Sequence, residues 1–392
     1  MNEPLKFGIE EEYFITDLAT RQMPGQIPRA AIDRCQAALG QHFAFEMFQA
    51  QIEVASPIFT HLAQATDYLA NARGALQHAL RGFELGLVCA GSHPLADWRD
   101  QHATDQPHFR HLFDDYQYVA QRSVVSGLHV HVEVPAGLDR IRVMNEVLPW
   151  TPLLLALSCS SPFWQGADSG FASYRQTACD EWPRMGVPEL LADQQAYEAY
   201  VAFLIARGAM RKASGCWWGV RPSASYPTLE LRMTDACPRL DDALSLASLF
   251  RVMVAHAIAQ PHPGAGYSEQ SRWTVMENRW RAKRSGINAA FLMEGHEQPL
   301  SVEQWLRMAE QTLGATAGAL GAEGVFSALR HVIREGTSAG RQRVVYQASI
   351  SSGRQPRQAL SQVVDHLLME TAQGPLSGRG QQHLEGRAVI ER

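Results

Sequence analysis

The residues of this 392-residue chain best suited to chemistry fall in four short segments whose polar side chains recur at every second position. They are Gly8 to Phe14 (GIEEEYF), Gln49 to Val54 (QAQIEV), Leu128 to Val134 (LHVHVEV) and Thr228 to Met233 (TLELRM). Side chains alternate between the two faces of a strand. Glu10 and Glu12 therefore share one face, as do His129, His131 and Glu133, while Leu128, Val130, Val132 and Val134 fill the other. A sheet that gathers such rows in front of an apolar back is a bed for divalent cations, and that points to an enzyme.

Each segment also has a plain structural explanation. A bare run of three glutamates is most simply a solvated cluster. Phe7, Ile9, Phe14 and Ile15 flank this one, however, and a buried carboxylate needs a cation or a proton. Glu11 should point the opposite way. Glu53 sits in an apolar strand and could pair with an arginine. Glu46 lies seven residues earlier, on the opposite face of a straight strand, so only a bend or bulge would bring both to one site. A lone strand histidine is usually a core residue, but three polar groups on one face backed by four aliphatics suit ligand or phosphate contact better. Glu230 and Arg232 make either a structural ion pair or a carboxylate on metal beside an arginine on a transferring phosphoryl group.

The elements that must position these residues alternate strand and helix through the first half. Helices are predicted at Pro28 to Leu39 and Ala63 to Phe83, with strands at Phe43 to Val54 and Leu85 to Ala90. After the histidine strand come a helix through Leu157, a loop from Ser158 to Pro188, a helix near Asp193 to Ala206, and a hairpin-like pair. That pair, Trp217 to Arg221 and Thr228 to Thr234, is joined by the turn-rich Pro222–Pro227 linker. Beyond Pro238 the spacing is helical, at Ala243 to Gln260, Ser301 to Thr312 and Ala359 to Thr371. The expected fold class is α+β: a mostly antiparallel sheet with helices packed on one side, in a single domain over residues 1–372. Residues 373–392, rich in Gly, Gln and Arg, are expected to be a flexible tail.

Composition narrows the field. The hydrophobic fraction of 46% is ordinary, and the charge of -5 with a pI near 6.3 argues against a nucleic-acid partner. Of 35 basic residues only Lys6, Lys212 and Lys283 are lysines. Genome composition explains that bias, yet it means that phosphate would be gripped by arginine forks. The six cysteines form no close CxxC pair, and the acidic start lacks an apolar leader, so reduced thiols in a cytoplasmic protein are expected. The apolar window from Val147 to Trp164 is broken by Pro149, Pro152 and Pro162, which suits a buried helix rather than a membrane span. There is no P-loop, no GxGxxG after a strand and no GxSxG elbow. The chemistry must run on carboxylates, histidines, arginines and metal.

Taken in order, the segments FGIEEE, QIE, SGLHVHVEV (Ser126 to Val134), SSPFWQGADSGFASYR (Ser160 to Arg175), WGVRPSASYPTLELRMTDACP (Trp218 to Pro238) and ENRWRAKRSGI (Glu277 to Ile287) resemble the glutamate–cysteine ligase type 2 family, the carboxylate–amine ligases. The resemblance runs from Phe7 to about Tyr346 and implies a glutamine synthetase-like catalytic domain. It implies ATP-dependent joining of glutamate to an amine such as cysteine through an acyl phosphate, with Mg2+ or Mn2+, and with cysteine activity that need not be strong. Glu10, Glu12, Glu53, His129 and Glu230 map onto metal ligands. Glu230, His131 and Arg232 map onto catalytic positions near the phosphates. Arg175, Arg221, Asn278, Arg279 and Arg284 fall in segments expected to contact nucleotide or substrate. The Ser158–Pro188 segment, with Gly166, Gly170, Gly186 and Arg175, is a candidate lid. The partners implied are small molecules, with no membrane, and a homodimer is compatible with the reading. The rivals are a metal-dependent amidohydrolase, whose HxH would lie on the first strand of a barrel, a carboxylate-pair glycosidase, and a non-catalytic ATP-binding protein.

Overall fold

In the computed structural model, which describes residues 5–260 and 267–375, a seven-stranded antiparallel sheet carries all four segments. Its strands are β1 (Phe7–Asp17), β2 (Phe43–Phe45), β3 (Gln51–Ala55), β4 (Leu85–Val88), β5 (Gly127–Glu133), β6 (Val220–Pro222) and β7 (Thr228–Asp235). The order across the sheet is β6-β7-β5-β1-β3-β2, with β4 paired to the far half of β1. The HxH strand is thus interior to an open sheet, not the first strand of a barrel.

Register follows from the rear face. Ile9, Tyr13 and Ile15 of β1, Ile52 and Val54 of β3, Val130 and Val132 of β5, and Leu229 and Leu231 of β7 are all buried in one core cluster. A one-residue slip in any strand would turn its apolar row to the front, so the alternation itself fixes the pairing. With that register set, the front-face residues align: Glu12 opposite Glu53, Glu10 opposite His129, His131 opposite Glu230, and Glu230 opposite Arg221.

Helices back the sheet. Leu62–Arg81 starts at a capping box between His61 and Gln64 and buries Ala65, Leu69, Ala72, Leu76 and Leu80 on one stripe. Leu240–Ala259 is long and apolar enough to cross a membrane by length and composition. Here it is the central core helix, with Leu246, Leu249, Phe250 and Val254 buried in the same cluster. The Val147–Trp164 window contains the wholly buried helix Thr151–Ser158. The helix Pro356–Ala372 packs instead at the β4 edge, where Leu360, Val363, Val364 and Leu367 meet Phe14 and Val88. The helical layer is therefore mainly, but not wholly, on one side.

Glu11 points backward, as strand alternation requires, and it is 1% exposed. Arg73, 2% exposed, meets it with Nε at 3.0 Å and Nη2 at 2.5 Å, and the Tyr13 hydroxyl donates to the same carboxylate. Removing one member of such a pair strands the other charge in the core, at a cost of about 3–5 kcal/mol. Cys35, Cys89, Cys159, Cys179, Cys216 and Cys237 are all free and buried. Of the tail expected at 373–392, residues 376–392 lie outside the described residues.

Candidate active site

The front face of the sheet presents one continuous row of ionisable groups. At its centre His129 places Nδ1 3.1 Å from Glu10 Oε2 and Nε2 3.4 Å from Glu12 Oε1. His131 places Nε2 3.2 Å from Glu10 Oε1 and Nδ1 3.0 Å from Thr228 Oγ1. The backbone N–H of Gly127 donates to Glu12 at 2.5 Å. Glu230 is gripped by Arg221, with Nε at 2.8 Å and Nη2 at 3.0 Å, and by Arg232 Nη1 at 2.5 Å.

Glu46 joins the row, contrary to the parity argument from a straight strand. β2 and β3 form a hairpin that turns between them, and Ala44 stands opposite Glu53. Continuing β2 by two residues brings Glu46 to the front face, and its carboxyl hydrogen-bonds that of Glu53. The seven-residue spacing spans a chain reversal, so parity along one strand does not apply.

Arg232 owes its aim to a bulge. The pairing of β7 with β5 shifts by one residue between Leu231 and Thr234, and the N–H groups of Arg232 and Met233 both donate to Gly219 O, at 2.8 and 3.0 Å. An extra residue of this kind redirects the side chain it carries. Arg221 spends its remaining Nη1 on the carbonyls of Ser214 and Cys216, so it orients Glu230 and has no spare fork. Arg232 gives Glu230 a single Nη and lines a cleft of about 790 Å3 together with Arg221, Tyr116, Arg211, Lys212 and Trp217.

The charges separate by environment. Burial raises Glu10, but hydrogen bonds from His129 and His131 outweigh it and hold the carboxylate well below its ordinary range. Burial also raises Glu230, and Arg232 with Arg221 pull it down to about 2. At the other end of the row, burial and the Glu12 carboxylate push Glu46 up to about 8. Burial with Glu10, Glu46 and Glu12 pushes Glu53 well above the usual range. Burial, aided by Arg232, lowers His129 and keeps its imidazole neutral. Neutral His129 that donates Nδ1–H to Glu10 leaves the Nε2 lone pair for a ligand.

Donor chemistry and spacing fit a hard divalent cation. Ligand atoms of Glu10, His129 and Glu230, and again of Glu12, Glu53 and His129, lie within 4.8 Å of one another. His129 Nε2 is buried with no hydrogen-bond partner, which is costly unless something binds it. Carboxylates dominate, which suits Mg2+, and one imidazole is better tolerated by Mn2+.

The other sequence candidates fall at graded distance. Arg175, 5% exposed, reaches its guanidinium over Gly127 beside His129. Its Nη1 donates to the carbonyls of Arg232 and Thr234, and its Nη2 lies 2.3 Å from where a Cβ on Gly127 would stand. Arg279 pairs with Asp180 at 2.5 Å and with Gln176 Oε1 at 2.9 Å. Asn278 uses its amide on both backbone groups of Leu292, and Arg284 donates to Gly170 O. The row therefore unites Glu10, Glu12, Glu53, His129, His131, Glu230, Arg221 and Arg232, with Arg175 beside it. Asn278, Arg279 and Arg284 make contacts of their own outside it.

The Ser158–Pro188 segment is firmly anchored at its base. Asp235 accepts from Ser160 N at 3.0 Å, Ser161 Oγ at 2.7 Å and Ser173 Oγ at 2.8 Å, and Gln176 Nε2 donates to Met233 O at 2.8 Å. It carries the helix Tyr174–Cys179, and its exposed residues are Gln165 to Asp168 near the tip and Asp180, Glu181 and Pro183 after the helix. Thr228, Asp235 and the Gly127 N–H are supporting residues that spacing alone does not single out.

Gly127→Ala should lower the thermal midpoint modestly. The clashing Arg175 guanidinium ends a long side chain, but it is buried, and a shift would strain its bonds to the Arg232 and Thr234 carbonyls. The new Cβ also comes 3.0 Å from His129 Nε2, so Arg175 or His129 must move. Turnover should fall about tenfold or more. Unchanged turnover would separate both side chains from the rate.

An open antiparallel sheet with helices packed mainly behind it defines the fold class. Glutamate–cysteine ligases share this architecture, within the glutamine synthetase-like fold. The crystal structure of glutamate–cysteine ligase from Francisella tularensis in complex with AMP aligns over 100% of this chain and 95% of its own, with a TM-score of 0.69 at 11% identity. That of a bifunctional glutathione synthetase from Pasteurella multocida aligns over 94% of this chain and 52% of its own, with a TM-score of 0.63 at 15% identity. At such identities the likeness concerns fold. Sequence supplies the rest: the model of glutamate–cysteine ligase family 2 matches residues 6–366, and the chain belongs to that family. A relative from Pseudomonas fluorescens is 55% identical over 94% of this chain and 95% of its own. One from Ectopseudomonas mendocina is 47% identical over 94% and 97%. Both carry the provisional name glutamate–cysteine ligase 2. The chain is accordingly a carboxylate–amine ligase of the glutamate–cysteine ligase type, from an ATP-dependent family that acts on small molecules.

Proposed function

We propose that this protein activates the γ-carboxylate of glutamate with ATP, as an acyl phosphate, and passes the acyl group to an amine, cysteine among the acceptors. The observation that carries the reading is the convergence of five carboxylates, two histidines and the Arg232 side chain on one sheet face. A carboxylate is a poor electrophile, and phosphorylation gives its carbonyl carbon a good leaving group. The transferred phosphoryl group then needs charge neutralisation and in-line placement more than covalent help.

Glu10, Glu12, Glu53, His129 and Glu230 would hold Mg2+ or Mn2+, with Glu46 beside them. The cation supplies neutralisation of phosphoryl oxygens when bound. The chain's residues do the rest. Arg221 fixes the Glu230 carboxylate in a bidentate grip, and Arg232, aimed by its bulge, meets the phosphoryl group. His131, held between Glu10 and Thr228, lines the path of the phosphates. The cleft of about 790 Å3 brings His108, His111 and Lys212 toward these arginines, a lining suited to a polyphosphate. In the acceptor step the amine nitrogen attacks the carbonyl carbon, and the C–O bond to phosphate breaks. Phosphate leaves, and the ammonium proton passes to solvent or a carboxylate of the row.

Glutamate labelled with 18O in its γ-carboxylate tests the intermediate. One labelled oxygen per inorganic phosphate is expected during amide formation. Unlabelled phosphate alongside a labelled product would rule out acyl transfer through phosphate.

The raised carboxyls add a pH signature. Below about pH 8 Glu46 holds a proton that a cation must displace. Burial and the neighbouring carboxylates raise Glu53 in the same direction. Mn2+ affinity should therefore climb between about pH 6 and about pH 9, with protons released. Calorimetry in two buffers of different ionisation enthalpy reads that release. An affinity flat across the range would contradict the assignment of these groups.

A further inference from the structure

The rear of the sheet carries an ion pair that the reaction does not touch. Arg73 projects from the helix Leu62–Arg81 into the core and binds oxygens on two separate parts of the chain. Nε and Nη2 hold the Glu11 carboxylate at 3.0 and 2.5 Å. Nη1 donates to Pro238 O at 2.6 Å, and Nη2 also donates to Cys237 O at 2.9 Å. Glu11 lies between Glu10 and Glu12 on β1. Cys237 and Pro238 follow β7, which carries Glu230 and Arg232, with only Ala236 between.

β1 and β7 do not pair, because β5 stands between them. The two halves of the site therefore sit on strands joined only through a third, and β7 is irregular next to Arg232. A single planar guanidinium ties both strands from behind. Its fork matches a carboxylate, and its remaining donors reach two successive carbonyls, which a lysine ammonium cannot do together. An apolar pair would fill the space without burying charge, so filling the core does not require these residues.

We propose that Arg73 and Glu11 are positioning residues, a clamp that sets the separation of Glu10 and Glu12 from Glu230 and so tunes cation binding. The proposal rests on the cation reading above. Two variants test it: the double replacement Glu11→Leu with Arg73→Met, which removes both charges, and Arg73→Lys, which keeps charge but loses reach. Free Mn2+ is followed by its electron paramagnetic resonance signal as the protein is titrated, without ATP. Near-ultraviolet circular dichroism reports packing in parallel.

A folded double variant is expected to bind Mn2+ about tenfold more weakly than the unaltered chain. The Mg2+ concentration for half-maximal ADP release should rise likewise, with kcat at saturating Mg2+ largely kept. Packing and Mn2+ affinity both equal to those of the unaltered chain would overturn the clamp. Should the double variant fail to fold, Arg73→Lys decides by the same readout. Absence of Mn2+ binding by the unaltered chain is a separate outcome, which overturns the cation reading on which the clamp depends.

Discussion

Glu10→Gln is expected to lower ATP- and glutamate-dependent ADP release on the order of a thousandfold, while thermal unfolding stays near that of the unaltered chain. Glu10 contacts both histidines, through Oε2 to His129 and Oε1 to His131. It also belongs to one of the two sets of atoms close enough to share a cation. Glutamine is isosteric and still accepts a hydrogen bond, so the sheet, whose pairing uses backbone groups, has no reason to change. What disappears is one negative charge where positive charge must be held. Turnover within a few-fold of normal in a folded Glu10→Gln protein would remove Glu10 from the site. Glu230→Gln is a less clean probe, because it leaves Arg221 and Arg232 without their counter-charge as well.

Arg232→Lys should be nearly as severe, with a loss of about a hundredfold to a thousandfold in kcat. The β7 bulge aims this side chain, and its fork touches Glu230 with one nitrogen while lining the cleft. A lysine ammonium can replace the ion pair or the phosphoryl contact, not both at once. Arg221→Lys should act differently, since all of Arg221's contacts are to Glu230 and two carbonyls. It should disturb the cation dependence more than the rate at saturating cation. Full activity in Arg232→Lys would show that the phosphoryl group is gripped elsewhere.

Strand alternation makes most of this face legible in the sequence. Parity alone puts Glu10 with Glu12, His129 with His131, and Glu230 with Arg232, and it turns Glu11 to the rear. It cannot supply the lateral order of strands, which brings Glu12 opposite Glu53 and His131 opposite Glu230, because that order is set by long-range pairing. Parity misplaces Glu46 because a hairpin reverses the chain between it and Glu53. The helices Glu269–Ser285 and Ser338–Ser351 also escape the helical spacing of the final third. The first is polar on most sides, and the second buries Ser338, Ala339, Gln342 and Ser349, so neither shows an apolar stripe. Arg73 carries no signal at all, as one arginine in an amphipathic helix whose partners lie 62 and 165 residues away.

The most direct test of the whole account is ADP release from ATP and Mg2+, with and without glutamate, across a panel of amines that includes cysteine. The expected result is release that requires glutamate and is accelerated by at least one amine, with the matching γ-glutamyl amide recovered. Folded protein that binds ATP yet releases no ADP with any combination would contradict the ligase reading and leave a nucleotide-binding protein in its place.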